Sequence, residues 1–469
     1  MTTSLFAAQT GADPAAPTSS AGGATGVTRA LAHYLTVARE EDLPGPVCKE
    51  AARSFLNWLG CAVGGSRHEA VNIAVHALAP FSGPPQATLL GRSERVDILN
   101  AALINGISSH VFDFDDTHLK TVIHPAGPVA SAALAFAEYR PVSGREFLNA
   151  LVLGVEVECR LGNAVYPEHY DVGWHITGTA GVFGAAAAIG KLMGLDEQRM
   201  AWALGLAATQ PVGLREMFGT MTKSFHPGRA AQNGMTAALL AAGGYTSSDR
   251  AIEAERGWAT VLSTRRNYDA ITEALGKRYE ILLNTYKPFA CGIVIHPAID
   301  GCIQLRNQHG LTPAAIERVD LQVNPLVLEL TGKRTPSTGL EGKFSVFHAC
   351  AVAIAEGAAG EKQFSDTVVL DPMIVSLRQR VHAKGAAEIP PEAVEIAIEL
   401  RDGRHLRASV RHAIGSIERP MTDADLELKF IGLTGDILSP PAIHRILDMC
   451  RQIESLDDVA KIARQAAVV

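Results

Sequence analysis

Apolar residues recur at three- and four-residue spacing from Val27 to about Leu275, a pattern typical of amphipathic helices. The clearest examples are VTRALAHYLTVAR, GPVCKEAARSFLNWLGCAV, REFLNALVLGVEVECRLGNAV and RMAWALGLAAT. Together they predict an all-helical domain over residues 27–278.

A further helix in this region carries a stripe of small residues. Gly178, Gly181 and Gly184 repeat every three positions and are followed by Ala185–Ala188. A thin face of this kind lets neighbouring helices approach closely. No strand is predicted ahead of the glycines, so they do not form a phosphate-binding turn. We interpret the stripe as packing within a large helical core.

The pattern changes after Gly276, where β-branched residues and two-residue alternation indicate strands. Three segments show this pattern: YEILLNTYKPF, IERVDLQVNPLVLEL and VEIAIELRDGRHLRASV. In the last of them apolar and polar residues alternate over 394–400, before an Asp402-Gly403 turn signal. Helical patterns lie between the strands in HPAIDGCIQLRNQHG and KFSVFHACAVAIAEG. Residues 279–418 are therefore predicted to form a smaller α+β lid domain.

The two ends of the chain differ from both regions. Residues 1–26 are rich in Ala, Gly, Ser and Thr, which predicts a disordered tail. Thr422 and Asp425 have the spacing of a capping box, which predicts helices over 419–469 that return to the helical domain. The expected fold class is therefore mainly α: a large all-helical domain with a smaller inserted α+β lid domain.

Composition excludes several classes of function. The 469 residues carry a net charge of −7 and no long Lys/Arg run, which argues against a nucleic-acid partner. No apolar run reaches the ~20 residues of a membrane span, and the N-terminus lacks a secretory signal pattern. The seven cysteines form no C-x-x-C pair, so we expect free thiols and a cytoplasmic location.

Candidate chemistry is concentrated in HVFDFDDTHLKTVIHPAGP, residues 110–128. Three carboxylates and three histidines fall within fifteen residues there: Asp113, Asp115, Asp116, His110, His118 and His124. Burying so many ionisable groups is costly unless they are paired or used, so the stretch indicates a functional site.

Four other segments add cationic or titratable groups beside glycine or proline. They are Gly173-Trp174-His175, KSFHPGR at 223–229, KPF…HP at 287–297, and GKFSVFH at 342–348. Turns and helix starts on a rigid scaffold are where binding groups concentrate. A single such histidine is more often a structural hydrogen-bonding group, but several with Lys223 and Arg229 favour function.

Several mechanisms are compatible with these groups. Asp113, Asp115, His118 and His124 offer metal donors, yet the H-E-x-x-H and EF-hand spacings are absent. No G-x-S-x-G elbow and no Walker A loop is present. Acid–base chemistry with positively charged anchors for carboxylates is favoured. A metal-dependent hydrolase or hydratase, and a non-catalytic carboxylate-binding protein, are the alternatives.

With these residues assembled, the chain resembles the MmgE/PrpD family, which includes 2-methylcitrate dehydratase, cis-aconitate decarboxylase and iminodisuccinate epimerase. The motifs that carry the resemblance are DFDDTH followed by HP, GWH, K-S-F-H-P-G-R-A-A and KFSV-x-H. The resemblance implies an active site between the two domains, a homodimer, and catalysis without a cofactor.

The resemblance also implies site residues. The positions that match the decarboxylase branch are Asp113, Thr117, His124, His175, Lys223 and His296. That branch has a tyrosine where this chain has His348, and the chain has one extra residue between Thr117 and His124.

These observations predict an enzyme that moves a proton at a carbon next to a carboxylate of a small di- or tricarboxylate. The predicted catalytic residues are His124, His175, Asp113 and Thr117. The predicted substrate-binding residues are Lys223, His296, His226, Arg229, Lys343 and His348. No metal site is expected. A dehydratase of the 2-methylcitrate type is the first expectation, and an epimerase or a cis-aconitate-type decarboxylase is the alternative.

Overall fold

The computed structural model describes residues 26–468, so the predicted tail of residues 1–26, apart from Gly26, lies outside the described residues. The helices up to residue 275 are α1 (Val27–Val37), α2 (Gly45–Gly65), α3 (Glu69–Leu78), α4 (Ile98–His110), α5 (Ala126–Tyr139), α6 (Gly144–Val165), α7 (Glu168–Asp171), α8 (Ile176–Leu192), α9 (Glu197–Ala208), α10 (Thr222–Ala242), α11 (Trp258–Leu262) and α12 (Asp269–Thr272). The later helices are α13 (His296–His309), α14 (Pro325–Thr331), α15 (Gly339–Gly342), α16 (Val346–Glu356), α17 (Asp366–Val369), α18 (Pro372–Arg378), α19 (Asp423–Thr434), α20 (Pro440–Arg451) and α21 (Ala460–Gln465). The strands are β1 (Ala87–Thr88), β2 (Arg95–Val96), β3 (Thr117–His118), β4 (Asn284–Thr285), β5 (Ile316–Val323), β6 (Val381–Gly385), β7 (Val394–Leu400) and β8 (His405–Val410).

The helical part is organised around α8, which is buried along nearly its whole length. Its neighbours include α5, α6 and α10, and α10 also packs along α4. The glycine stripe allows this proximity: a Cβ at Gly184 would lie 2.9 Å from the Gly154 carbonyl oxygen, and one at Gly178 would lie 2.1 Å from the Val212 carbonyl oxygen. The predicted close packing of the stripe is confirmed.

The α+β part contains a four-stranded sheet with the strand order β6-β5-β7-β8. β5 is parallel to β6 and antiparallel to β7, and Val319 pairs with Ile398 in the second register. The alternation predicted over 394–400 is confirmed, because the apolar positions of β7 are buried. α13 packs on this face, where a Cβ at Gly301 would lie 2.4 Å from Ile396 Cδ1.

Two of the predicted strand segments are shorter than expected. In YEILLNTYKPF only Asn284–Thr285 forms a strand, and it pairs with Thr117–His118. The preceding residues 280–283 form a 3₁₀ turn, in which the Glu280 N–H donates to the Glu156 carboxylate. In IERVDLQVNPLVLEL the strand ends at Val323, and Pro325 starts α14, because proline fits the first turn of a helix.

The C-terminal helices pack on the helical part. The capping box of Thr422 and Asp425 is present at the start of α19, as predicted. α19 lies against α2, where a Cβ at Gly60 would lie 3.0 Å from the Phe430 ring. The mainly α class with a smaller α+β part is confirmed, whereas the domain boundaries, the homodimer and the cytoplasmic location stay predictions.

No helix within residues 26–468 combines the length and apolarity that crossing a bilayer requires. All seven cysteines are free thiols, and only Cys48 is not fully buried.

Candidate active site

The loop between α4 and α5 contains most of the candidate chemistry and has an unusual backbone. Asp113 has φ 52° and Val122 has φ 53°, in the left-handed region that a β-branched residue strongly disfavours. The short β3–β4 pairing holds the middle of the loop. Strained backbone of this kind persists only where surrounding contacts fix it, and it is concentrated at functional sites.

Asp113 accepts hydrogen bonds from two buried lysines. Its Oδ1 lies 2.7 Å from Lys223 Nζ and 2.9 Å from Lys287 Nζ. Lys287 Nζ also donates to the Asp113 carbonyl oxygen, at 2.8 Å. Burial alone would raise the pKa of Asp113, but the two ammonium groups hold it well below its usual value. The same carboxylate raises the pKa of Lys287 against the opposing effect of burial. Burial lowers the pKa of Lys223, an effect that the Asp113 carboxylate opposes.

Asp115 contacts two imidazoles. Its Oδ2 lies 2.6 Å from His110 Nδ1, and its Oδ1 lies 3.6 Å from His124 Nδ1. His124 Nδ1 is closer still to the Asp116 carbonyl oxygen, at 2.7 Å, and lies 3.3 Å from Thr117 Oγ1. A carbonyl oxygen only accepts, so His124 carries its proton on Nδ1 and leaves Nε2 as the free nitrogen. Burial lowers the pKa of His124 to about 3, so the ring is neutral.

A second pair of histidines lies beside this group. His175 precedes the first residue of α8, and its Nδ1 is 2.9 Å from Nδ1 of His226 in α10, so one of the two nitrogens donates to the other. Burial lowers the pKa of His175 well below its usual value and that of His226 to about 4. Gly213, with φ 104°, packs against the pair: a Cβ there would lie 2.9 Å from the His226 ring.

The histidine rings form one cluster. The ring centroids of His110 and His124 are 4.8 Å apart, and those of His110 and His175 are 5.9 Å apart. The structure therefore brings six predicted site residues into one buried group: Asp113, Thr117, His124, His175, Lys223 and His226.

His296 and Lys343 border the group from the α+β side. His296 is buried at the start of α13, its Nε2 lies 3.4 Å from the Cys291 carbonyl oxygen, and burial lowers its pKa to about 3, with Lys287 also contributing. Lys343 Nζ donates to the Phe112 carbonyl oxygen and to Glu361, so it braces the loop next to Asp113.

The other two predicted binding residues are placed differently. Arg229 is exposed on α10, and its guanidinium donates to Gln232. His348 is buried inside the α+β part, where its Nε2 lies 2.9 Å from the Gln363 carbonyl oxygen and its ring packs on Phe364. The structure does not bring either side chain to the cluster.

Several residues outside the predicted catalytic and substrate-binding sets complete the site. His110, Asp115 and Asp116 belong to the predicted stretch, but nothing in their spacing distinguished their roles. Lys287 was visible only as part of the KPF segment. The pKa of Asp116 is raised to about 7 by burial and by Asp115.

Lys429 was not predicted, because it comes from α19, far away in sequence. Its ammonium donates to the carbonyl oxygens of Phe114, at 2.6 Å, and Lys287, at 2.9 Å. Burial lowers the pKa of Lys429 to about 8. It joins the loop to the segment that follows β4.

A small cavity opens beside Asp113, Lys223 and His110, and Leu340 and Phe344 of the α+β part close it. Its volume is about 20 Å³, which is room for about one water molecule. A ligand larger than a water molecule therefore fits here only if this interface opens.

Within residues 26–468, two sets of side chains could hold a metal ion. One consists of His110, His124 and His175, and the other of Asp113, Asp115 and His124; in each set the ligand atoms lie within 4.8 Å of one another. His118, one of the donors proposed from sequence, belongs to neither. Its ring nitrogens contact Thr121 at 2.7 Å and Glu280 at 3.1 Å.

A mainly α protein with a cluster of histidines, lysines and carboxylates beside a smaller α+β part fits one enzyme family, and comparison with family models agrees. The MmgE/PrpD N-terminal domain matches residues 29–271, and the MmgE/PrpD C-terminal domain matches residues 289–455. The chain belongs to the MmgE/PrpD family.

Its relatives include cis-aconitate decarboxylases. The Aspergillus terreus enzyme is 26% identical over an alignment that covers 93% of this chain and 95% of the relative. The human enzyme is 26% identical, with 92% of each chain covered, and the mouse enzyme is 25% identical, with 93% of each covered. Similarity over almost the whole length supports an enzyme of this family, and these relatives favour the decarboxylase alternative over the dehydratase that was expected first.

Proposed function

We propose that this protein is a lyase that acts on a small di- or tricarboxylate by acid–base chemistry of its own side chains, without a cofactor. The observation that carries the proposal is the convergence of Lys223 and Lys287 on Asp113, next to the neutral histidines His124 and His175. Cations that hold carboxylates beside a titratable imidazole are what proton transfer at an adjacent carbon requires.

The lysines are suited to bind a substrate carboxylate. An ammonium group has three donors, and Lys223 uses one on Asp113 while Lys287 bonds only Asp113 atoms within the described residues. Each can therefore add a charge-assisted hydrogen bond to a substrate oxygen without giving up Asp113. His296, at the border with the α+β part, is placed to hold a second carboxylate once the interface opens.

The histidines are suited to move the proton. His124 Nε2 and the His175 ring are neutral in the free protein. A bound polyanion next to an imidazole favours the charged form, so substrate binding raises the pKa of these rings. One histidine can thereby be protonated while it lies next to the reacting carbon. Asp113 keeps the lysines in position, and Thr117 does the same for His124.

Among the possible reactions, decarboxylation of cis-aconitate or a close analogue has the support of the full-length relatives. In that reaction the bond to one carboxylate breaks, CO₂ leaves, and the electron pair stays on the substrate carbon skeleton. A histidine proton then forms the new C–H bond, and solvent returns the proton to the imidazole. Every proton in this sequence can be carried by residues of the cluster.

A dehydratase of the 2-methylcitrate type is the second candidate. The observation that counts against decarboxylation, and so keeps this candidate, concerns His348, which occupies the position of the decarboxylase branch's tyrosine. His348 is buried against Gln363 and Phe364 and offers no hydroxyl to a substrate. An epimerase would use the same groups to remove a proton and return it on the opposite face.

Proton NMR of the chelator-treated protein in D₂O, with a panel of carboxylates, tests the proposal. The panel contains cis-aconitate, citrate, methylcitrate, malate, aspartate and iminodisuccinate. Loss of CO₂ with deuterium in the product identifies a decarboxylase, a new olefin formed without loss of CO₂ identifies a dehydratase, and deuterium exchange with conversion to a stereoisomer identifies an epimerase. Lys223→Met should abolish turnover, while Lys461→Met, at an exposed lysine paired with Asp457, should leave it unchanged. No exchange or product with any compound would contradict the proposal.

A further inference from the structure

We propose that His110, His124 and His175 form a capture site for a divalent transition-metal ion of the zinc class, and that an ion held there blocks the enzyme. One ring nitrogen from each of the three lies within 4.8 Å of those of the others, and all three side chains are buried. The metal-binding part of this inference stands on the geometry alone. The blocking part rests on the proposed function.

Each of the three rings is fixed through a contact of its Nδ1 atom, as metal-binding histidines are fixed through their second ring nitrogen. The Nδ1 atoms face Asp115 on His110, the Asp116 carbonyl oxygen on His124, and the His226 ring on His175. Metal-ligating histidines almost always donate their second ring N–H to a carboxylate, a carbonyl or water, which fixes the ring and its tautomer. With Nδ1 engaged, Nε2 is the available ligand atom of His110 and of His124, and it is that of His175 when His175 is the donor of its pair with His226.

One of these nitrogens has no other role in the free protein. His110 Nε2 is buried and has no hydrogen-bond partner among the described residues. In the neutral ring whose Nδ1 donates to the Asp115 carboxylate, Nε2 carries a lone pair. A buried acceptor without a partner is unfavourable, and a metal ion would supply the missing interaction.

The backbone that carries the ligands is well fixed. His110 ends α4, His124 lies in the loop before α5, and His175 precedes α8. The ligands therefore come from three packed elements. Water from the adjoining cavity could complete a tetrahedral set, which suits zinc.

Local charge allows a dication at this position. The ammonium groups of Lys223 and Lys287 face the cluster, and the carboxylates of Asp113 and Asp115 balance them. Imidazole ligands select zinc, cobalt, nickel or copper over magnesium and calcium. The alternative set of Asp113, Asp115 and His124 offers a single imidazole, so it suits an imidazole-preferring ion less well. One oxygen of each of its carboxylates already binds the lysines or His110, and Asp115 Oδ1 has no hydrogen-bond partner among the described residues.

An ion held in this way would inhibit the enzyme. His124 and His175 would place on the metal the lone pairs that the proposed reaction uses for proton transfer. Metal and substrate should therefore exclude one another.

Cobalt(II) is the probe, because its visible absorption reports the number and type of its ligands. Titration of the full-length, chelator-stripped protein should show one equivalent bound per chain, with the spectrum of a four- or five-coordinate nitrogen site, and zinc should displace it. Asp115→Asn should weaken cobalt binding roughly 10–100-fold, the usual effect of losing an outer partner of a metal-bound histidine. His110→Asn should remove the spectrum, and His444→Ala, at an exposed histidine on α20, should retain it.

Circular dichroism confirms that each variant is folded, and a variant that fails this test is replaced by His175→Gln. No cobalt spectrum in the wild-type protein, or one that survives both His110→Asn and His175→Gln, would overturn the inference. If cis-aconitate is turned over but cobalt does not bind, the inference fails and the proposed function stands. If cobalt binds as expected but no carboxylate competes with it, the metal site stands and the blocking mechanism is wrong.

Discussion

Asp115 holds two histidines at once: its Oδ2 lies 2.6 Å from His110 Nδ1, and its Oδ1 lies 3.6 Å from His124 Nδ1. Burial alone would raise the pKa of this carboxyl, but the two imidazoles hold it below its usual value, so Asp115 remains ionised. This buried carboxylate fixes the His110 ring through a hydrogen bond and lies beside His124, whose tautomer is set by the Asp116 carbonyl oxygen.

Asp115→Asn tests this positioning role. The amide keeps the shape of the side chain but presents an N–H group where His110 now donates. We expect kcat to fall about 10²-fold, at the low end of the ~10²–10⁴-fold contribution of a positioned acid–base group, with little change in KM. Steady-state kinetics on the substrate found by NMR measures both. If KM rises by the same factor as kcat falls, or if neither changes, Asp115 does not act through the histidines.

Gly213 provides a test of the His175–His226 pair. Gly213→Ala places a methyl group 2.9 Å from the His226 ring, at a position with φ 104°. Gly194→Ala is the matched control, because Gly194 has φ 66° and no atom within 4 Å of its Cβ position.

Both variants should lose about 1–2 kcal/mol of unfolding free energy from the positive φ. Only Gly213→Ala should also lose more than about 10-fold in kcat, since precise placement of reacting groups is sensitive to such shifts. Chemical denaturation measures the unfolding free energy of both variants, and steady-state kinetics measures their kcat. Equal kcat values in the two would disprove a role for the His175–His226 pair.

Lys287 tests the ion-pair arrangement. Lys287→Met leaves Asp113 with Lys223 alone, so the loss of stability should lie near the low end of the ~3–5 kcal/mol typical of breaking a buried pair. KM should rise as well. Lys461→Met, which breaks an exposed pair, should cost less than about 1 kcal/mol.

A double-mutant cycle with Asp113→Asn separates the pair from the general effect of substitution. If the Asp113→Asn and Lys287→Met effects on unfolding free energy simply add, the two groups do not interact as the structure indicates.

Sequence patterns predicted the parts of the fold in which neighbours in the chain decide the structure. The alternation over 394–400, the capping box at Thr422 and the glycine stripe of α8 are all present. The 280–283 segment was predicted wrongly, because Glu280 satisfies its backbone N–H with the Glu156 side chain in place of a strand partner.

The candidate site was predictable only where its residues share a motif. Asp113 and Lys223 come from conspicuous motifs, but Lys287 is 174 positions away from Asp113, and no pattern in one sequence reveals that they meet. Lys429 is more distant still, being 315 positions from Phe114. Contacts of this kind depend on how the helices pack, which periodicity does not encode.

Acid stability should depend on the buried pair of His118 and Glu280. Burial alone would raise the pKa of Glu280, but His118 holds it at about 2, against an ordinary value of 4.5. A carboxyl whose folded-state pKa is depressed stabilises the protein above the unfolded pKa, and this stability is lost as the pH falls through the folded value.

The pair should therefore contribute on the order of 3 kcal/mol at neutral pH, and this contribution should disappear between about pH 5 and pH 2. Urea denaturation across that range, compared with Glu280→Gln, measures it. Parallel stability curves for the two proteins would contradict the assignment.

The central claim is that the cluster of histidines and lysines performs proton transfer by itself. The most direct measurement compares chelator-treated wild-type protein with His124→Asn on cis-aconitate in D₂O, following product and deuterium by NMR. We predict a deuterated, decarboxylated product from the wild type and a rate lower by roughly 10²–10⁴-fold in a folded His124→Asn variant. Equal rates for the two proteins, or wild-type turnover that appears only after a divalent metal is added, would contradict the claim.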